Sequence, residues 1–344
     1  MSNNRHLTNV FLNFLKPLHM SQNFSGKRNT ITFLLIAATL LLFVYISSNP
    51  YVSKQETIRI GIPQWPGYEY LFVAKKQGFF KQTGLDVELV ELSSLTEVRR
   101  AFERGKVDGM ASTLIEVLEA FKYSGKIAQP VLIIDYSNGA DEILGSTKIK
   151  TIRELKGKII GVEAGSMSTY LVSRALEMND INSSEVVIMP MELHDMPTAL
   201  KTGKVDAITS YPPASVAIKK QFDINVLFDS SKIPNEILDV IAINNEILEN
   251  NPELQKQLLQ VWKLILDYTR DYSDDSYSIL TERLMISGNE FKQAMAHINL
   301  VGHHEQSQFF TEDLLMKLLS KTGNVVFKHL EVEIIDYSQF IYNE

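Results

Sequence analysis

Five short stretches of this chain bring together the residue types that could hold a small ligand. Trp65, Gly67 and Tyr68 follow the run IRIGI, Ser112 and Thr113 end GMAST, Gly165, Ser166, Ser168 and Thr169 follow IIGV, and Ser210 and Tyr211 follow DAIT. Each of these sits where a β-branched run gives way to a helix-like segment. A helix opening there leaves free backbone N–H groups, which attract an anion or a strong acceptor. Glycine and serine let such a group approach the backbone, and the rings of Trp65 and Tyr211 could stack on a ligand or close over it. A fifth set, Asp135, Ser137, Asn138 and Asp141, offers carboxylates suited to an amine. The same residues have structural uses. Trp65 could pack in its domain, the hydroxyls could serve as helix caps, Tyr211 could be a core tyrosine, and Asn138-Gly139 is a good turn dipeptide.

None of these sets is a catalytic motif. The chain has no cysteine, so thiol nucleophiles, cysteine-ligated zinc, disulfides and a lipid-modified cysteine anchor are excluded together. No GxSxG, HExxH, GxGxxG or Walker loop occurs. His303, His304 and Glu305 are adjacent, a spacing that rarely lets two histidines reach one ion. The expectation is a binder that is not an enzyme, with no cofactor and no metal.

The 344 residues carry a net charge of -7, yet residues 1–49 contribute only Arg5, Lys16, Lys27 and Arg28, which leaves the remainder at -11. So acidic a body, with its lysines and arginines scattered, argues against a nucleic-acid partner. Between Lys27–Arg28 and the body, no residue from Asn29 to Ser53 is charged, and Ile31 to Ile46 is an apolar block. Residues 1–30 are then a cytoplasmic segment and 31–49 a signal peptide or an inner-membrane anchor, with everything beyond exported to the periplasm. The small residues that cleavage requires are limited to Ser47 and Ser48, and Met20 is a second candidate start.

What must position the ligand residues is legible as an internal repeat. IRIGIPQWPGYEYLF from Ile58 resembles KIIGVEAGSMSTYLV from Lys158, and AFERGKVDGMAST from Ala101 resembles ALKTGKVDAITSY from Ala199 at an offset of 98. With VELVEL at Val87–Leu92 and VVIMP at Val186–Pro190, each unit reads β-α-β-α-β, which predicts parallel sheets with helices on both faces and ligand loops at the strands' carboxyl ends. VLIID at Val131–Asp135 is a further strand before the chain crosses over. A capping box Thr151-x-x-Glu154 is expected near the start of the second unit. A strand near Asp239–Ile243 returns to the first unit, and helices over 246–322 pack on it. Lobe 1 is thus 50–136 plus 238–344, and lobe 2 is 137–237.

The segments GIPQWPGYEYLFVAKKQGFFKQTGLDVELVEL, GKVDGMAST, DYSNGADEI, KTIRELKGKIIGVEAGSMSTYLVSRALE and GKVDAITSYPP, in that order, resemble substrate-binding proteins of the nitrate, taurine and sulfonate ABC-transporter type, which include binders of thiamine precursors. The resemblance covers about Ile58 to Ile243. It implies the type II periplasmic-binding-protein fold, two doubly wound α/β lobes with a ligand cleft between them. It further implies capture of a small-molecule solute by hinge closure and delivery to an ABC permease and ATPase, and the helix openings together with the carboxylates make an anionic or zwitterionic organic ligand the expectation. A membrane-anchored sensory receptor with a membrane partner, and an enzyme of the thiamine-precursor type, are the alternatives.

Overall fold

The computed structural model describes residues 36–39, 56–311, 313–328 and 335–342. The chain divides into two units, 1–55 and 56–344. Of the first unit only a helical turn at 36–39 is described, with the Thr39 hydroxyl donating to the Ile36 carbonyl at 2.9 Å. The expected apolar segment 31–49 otherwise lies outside the described residues, among which no helix is long and apolar enough to cross a membrane.

The second unit holds two sheets. Strands β1 (Ile58–Ile62), β2 (Val87–Glu91), β3 (Gly109–Thr113) and β4 (Ala128–Ser137) form the first with β10 (Leu238–Asn244) and β11 (Ile298–Leu300), in the order β11-β4-β10-β3-β1-β2. Strands β5 (Glu142–Ser146), β6 (Ile159–Val162), β7 (Val187–Pro190), β8 (Ala207–Ser210) and β9 (Ile224–Asp229) form the second, ordered β7-β6-β8-β5-β9. In each sheet three strands of the repeat are parallel, β2-β1-β3 and β7-β6-β8. The sheets are not wholly parallel, however. The strand that has just crossed from the other sheet, β10 in the first and β5 in the second, lies antiparallel to both its neighbours. A crossing strand has no covering helix behind it to reverse its direction, so it enters its new sheet from the opposite end.

Helices follow from local chemistry. Helix α1 (Glu69–Gln77) ends on Gly78 in the left-handed region, followed by the single turn α2 (Phe79–Gln82). After α3 (Leu95–Glu103), helix α4 (Leu114–Ser124) opens on a full capping box, Thr113 accepting from the Ile115 N–H while Glu116 accepts from the Thr113 N–H. Thr151, by contrast, makes no cap bond. Glu154 turns back to the Lys150 N–H at 2.9 Å, and only a 3₁₀ turn, Ile152–Leu155, forms. In the second sheet's layer are α5 (Met167–Glu177), α6 (Met196–Lys201) and α7 (Ala214–Gln221).

The two GKVD motifs do the same job in both sheets. The Arg59 N–H donates to Asp108 at 2.8 Å and the Ile159 N–H to Asp206 at 3.0 Å, so each aspartate ties its turn to the start of the neighbouring strand. The chain then continues through α8 (Asn245–Asn250), α9 (Leu254–Asp271), α10 (Ser273–Glu282), α11 (Gly288–Met295), α12 (Gln306–Thr311) and α13 (Leu314–Val326). Leu258, Val261, Trp262 and Ile265 of α9 are buried as one stripe, with Leu266 at its edge, and the Trp262 indole donates to the Val301 carbonyl at 2.9 Å.

Candidate functional site

Two crossings join the lobes, one between β4 and β5 and one between β9 and β10, and their residues bond to each other. The Ser137 and Ser230 hydroxyls lie 2.7 Å apart, the Gly139 N–H donates to Ser230 at 2.6 Å, and the Ser230 N–H donates to the Asp141 carbonyl at 2.9 Å. Against these crossings the lobes enclose a cavity lined by Pro63, Trp65, Tyr68, Leu95, Thr113 and Asp239 from the first sheet's side and by Asp141 and Tyr211 from the second. It measures about 10 Å³, at the lower limit for one water molecule.

Trp65 sits in the loop after β1, only 4% exposed, its indole N–H donating to both Asp135 oxygens at 3.1 and 3.3 Å. Its ring lies 6.5 Å from that of Tyr68 and 6.2 Å, edge-on, from that of Tyr211. Gly67 is placed so that a Cβ would fall 1.8 Å from an Asp135 carboxylate oxygen, which explains why nothing larger stands there. Tyr68 donates to Asp239, and Tyr211 to Glu163 at 3.2 Å. Burial beside these carboxyls raises both phenols well above their usual range, so they remain O–H donors.

The carboxyl groups dominate the electrostatics. Asp239 sits in β10 opposite Thr113 on one side and Asp135 on the other. Burial raises the affinity of both Asp135 and Asp239 for protons, and their mutual proximity raises that of Asp239 further. Asp141 and Glu163 are each pushed up to about 7, first by burial and then, against the help of Ser137 and Ser94 hydroxyls, by neighbouring carboxylates. Burial also raises Glu116, against the donors that surround it.

Glu116 changes the meaning of the α5 opening. Its second oxygen accepts from the Met167 N–H at 2.7 Å, so a carboxylate from α4 in one lobe takes the first turn of α5 in the other. Around it, Ser166 donates to the Glu163 carbonyl at 3.0 Å and caps the Ser168 N–H, while Thr169 donates to the same carbonyl at 3.0 Å. Gly165, with φ of 64°, has Tyr123 and Arg99 where a Cβ would point.

Of the residues singled out in the sequence, Trp65, Tyr68, Thr113, Asp141 and Tyr211 therefore meet at one cavity, with Gly67 and Asp135 directly against Trp65. Gly165 stands against Arg99 and Tyr123 of the other lobe, Ser166 and Thr169 bond within their own loop, and the buried Ser168 hydroxyl has no protein partner. Ser137 lies in the crossing, whereas Asn138 is exposed there with its N–H on the His297 carbonyl at 2.8 Å. Ser112 turns its hydroxyl to the Thr113 carbonyl, 3.5 Å away, and the buried Ser210 hydroxyl has no protein partner. The sequence reading missed Pro63, Leu95, Asp239, Glu116 and Glu163. Only Glu116 left a signal, the Thr-x-x-Glu spacing after β3.

Comparison with known proteins places this geometry. A Brucella abortus protein provisionally named a binding protein is 23% identical over 304 residues, covering 87% of this chain and 89% of its own. A Haemophilus influenzae protein provisionally named for thiamine biosynthesis is 21% identical over 189 residues, 54% of this chain and 60% of its own. Among solved structures, the periplasmic aliphatic sulphonate binding protein of Escherichia coli is similar, with a TM-score of 0.64 at 20% identity, over 84% of this chain and 92% of that one. The fold is thus that of periplasmic binding proteins, two α/β lobes with a cleft between them, as the sequence resemblance implied. The family model for NMT1/THI5-like proteins matches residues 65–274, well over half of the chain, and the chain belongs to that family.

Proposed function

We propose that this protein works outside the cytoplasm, capturing a small organic solute between its two lobes for an ABC importer. One observation carries the reading. A cavity walled by aromatic rings and buried polar groups lies where two sheets face each other, beside the only two chain crossings between them among the described residues. With lobe 1 as 50–136 plus 238–344 and lobe 2 as 137–237, rotation about those crossings opens the cavity without disturbing either sheet. So small a space requires that opening before an organic ligand can enter. Ligand contacts are assigned to Trp65, Tyr68, Thr113, Asp141 and Tyr211, with Gly67, Asp135 and Ser210 behind them. Ser112, Ser137 and Asn138 then serve the strand end and the hinge, and Gly165, Ser166, Ser168 and Thr169 the closing contact. The binding-protein name of the Brucella relative supports binding over turnover. Residues 31–49 would deliver the body across the membrane as a signal or an anchor.

The test is a thermal-shift screen of the full-length protein against amino acids, amines, pyrimidines, sulfonates and nitrate, with calorimetry on each hit. A true ligand at a hundred times its dissociation constant stabilises the protein by about 2.7 kcal/mol. That gain should be lost in Trp65→Ala and Tyr211→Ala. A hit undiminished in both variants places the site elsewhere, and no hit in any class removes the reading.

A further inference from the structure

Resting on the reading of this cleft as a solute site, we propose that its ligand is a compact organic cation that donates hydrogen bonds, a protonated primary amine or an amidinium. Among the residues lining the cavity there is no lysine, arginine or histidine. Two lining carboxyls, Asp141 and Asp239, are 3% and 2% exposed, and each keeps one oxygen with no protein partner. A buried acceptor left without a donor is costly, and here two such acceptors share one small cavity. Glu163, which accepts from the lining Tyr211, has a further buried oxygen without a protein partner.

An ammonium supplies three N–H donors and a positive charge, matching both needs. The rings of Trp65, Tyr68 and Tyr211 complete the match, because an organic cation gains from aromatic faces in a site closed to water. An anion finds no cationic side chain among the lining residues. The backbone N–H that would have drawn it, that of Met167 at the start of α5, is bonded to Glu116. Any anion seated in the cavity would oppose ionisation of the lining Asp141 and Asp239, whereas a cation favours it. A quaternary ammonium brings the charge but no N–H, and leaves both acceptors unpaired.

Butylamine, putrescine and agmatine serve as donor cations, butyltrimethylammonium as a cation without N–H, and propanesulfonate, nitrate and 1-butanol as anionic and neutral controls. With full-length wild-type protein, the amines or agmatine should bind most tightly by calorimetry, ahead of butyltrimethylammonium. Asp141→Asn and Asp239→Asn, near-isosteric changes whose folding is checked by circular dichroism, should each weaken that binding about 10- to 100-fold. Preference for propanesulfonate, nitrate or butanol overturns the cationic ligand and leaves the solute-binding reading intact, whereas silence of all probes alongside a silent broad screen defeats both. Equal binding of butylamine and butyltrimethylammonium refutes the donor requirement. Amine affinity unchanged in both variants refutes the assignment to these carboxyls. The probe preferences are read on the wild-type protein, so they decide the ligand class even if a variant fails to fold.

Discussion

The substitution Asp141→Asn should make this protein more stable at neutral pH while it weakens function. Asp141 is buried at the junction of the first crossing and β5, and its carboxyl is pushed from 3.8 to about 7, by burial first and then by Asp135, Glu116 and Glu142. Holding the proton that much more tightly corresponds to roughly 4 kcal/mol. The sign follows from proton counting. Below about pH 4 the carboxyl is protonated both folded and unfolded, and nothing is at stake. As pH rises toward 7 the unfolded chain loses the proton while the folded chain keeps it, so stability falls, and above 7 the full penalty persists. An asparagine amide has no charge to desolvate, so at pH 8 the variant should exceed wild type by up to about 4 kcal/mol. At ~2–4 °C per kcal/mol for a domain of this size that is a rise of up to about 8–16 °C, shrinking to nothing near pH 4. Thermal melts of the full-length protein and the variant from pH 4 to 8 measure it. If the two melting curves keep a constant separation across that range, or the variant is less stable at pH 8, burial of this carboxyl is not what strains the cleft.

Three further outcomes follow from the packing. Gly67→Ala places a methyl on the Asp135 carboxylate, and should cost about 1–3 kcal/mol and quench-shift the Trp65 fluorescence as its bond to Asp135 breaks. Arg283→Met leaves Glu69, which Arg283 clamps with two donors, buried without its counter-charge. A loss of about 3–5 kcal/mol is expected by denaturant titration at pH 8. Because Glu69 is already raised to about 7 by burial, that loss should diminish as the pH falls and the carboxyl is protonated. Thr113→Val removes the α4 cap and one donor to Glu116, and should lower stability by about 1–2 kcal/mol with far-ultraviolet helicity nearly unchanged.

Much of the architecture was local enough to read in the chain. IRIGI and GMAST become strands because their β-branched and small side chains bury on both faces of a covered sheet, VELVE becomes the edge strand with Glu88 and Glu91 exposed, and the two GKVD turns recur because each aspartate binds the strand beside it. The post-strand placement of Trp65, Tyr68, Thr113 and Tyr211 follows from that pattern alone. The direction of β5 and β10 does not, since a strand carries the same alternation whichever way it runs. Nor does the three-residue β11, too short for any period to appear.

The character of the cleft was also decided only by folding. Nothing near Asp239 in sequence says that β10 will set it beside Asp135 and under the Tyr68 hydroxyl. The α5 opening reads as an anion seat by its residues, and becomes a closed contact because Glu116 arrives from the other lobe. Local residue types determined which backbone groups and side chains are offered to the cleft. Which of them meet each other is set by long-range strand register and lobe closure, and with it whether the site favours a negative or a positive guest.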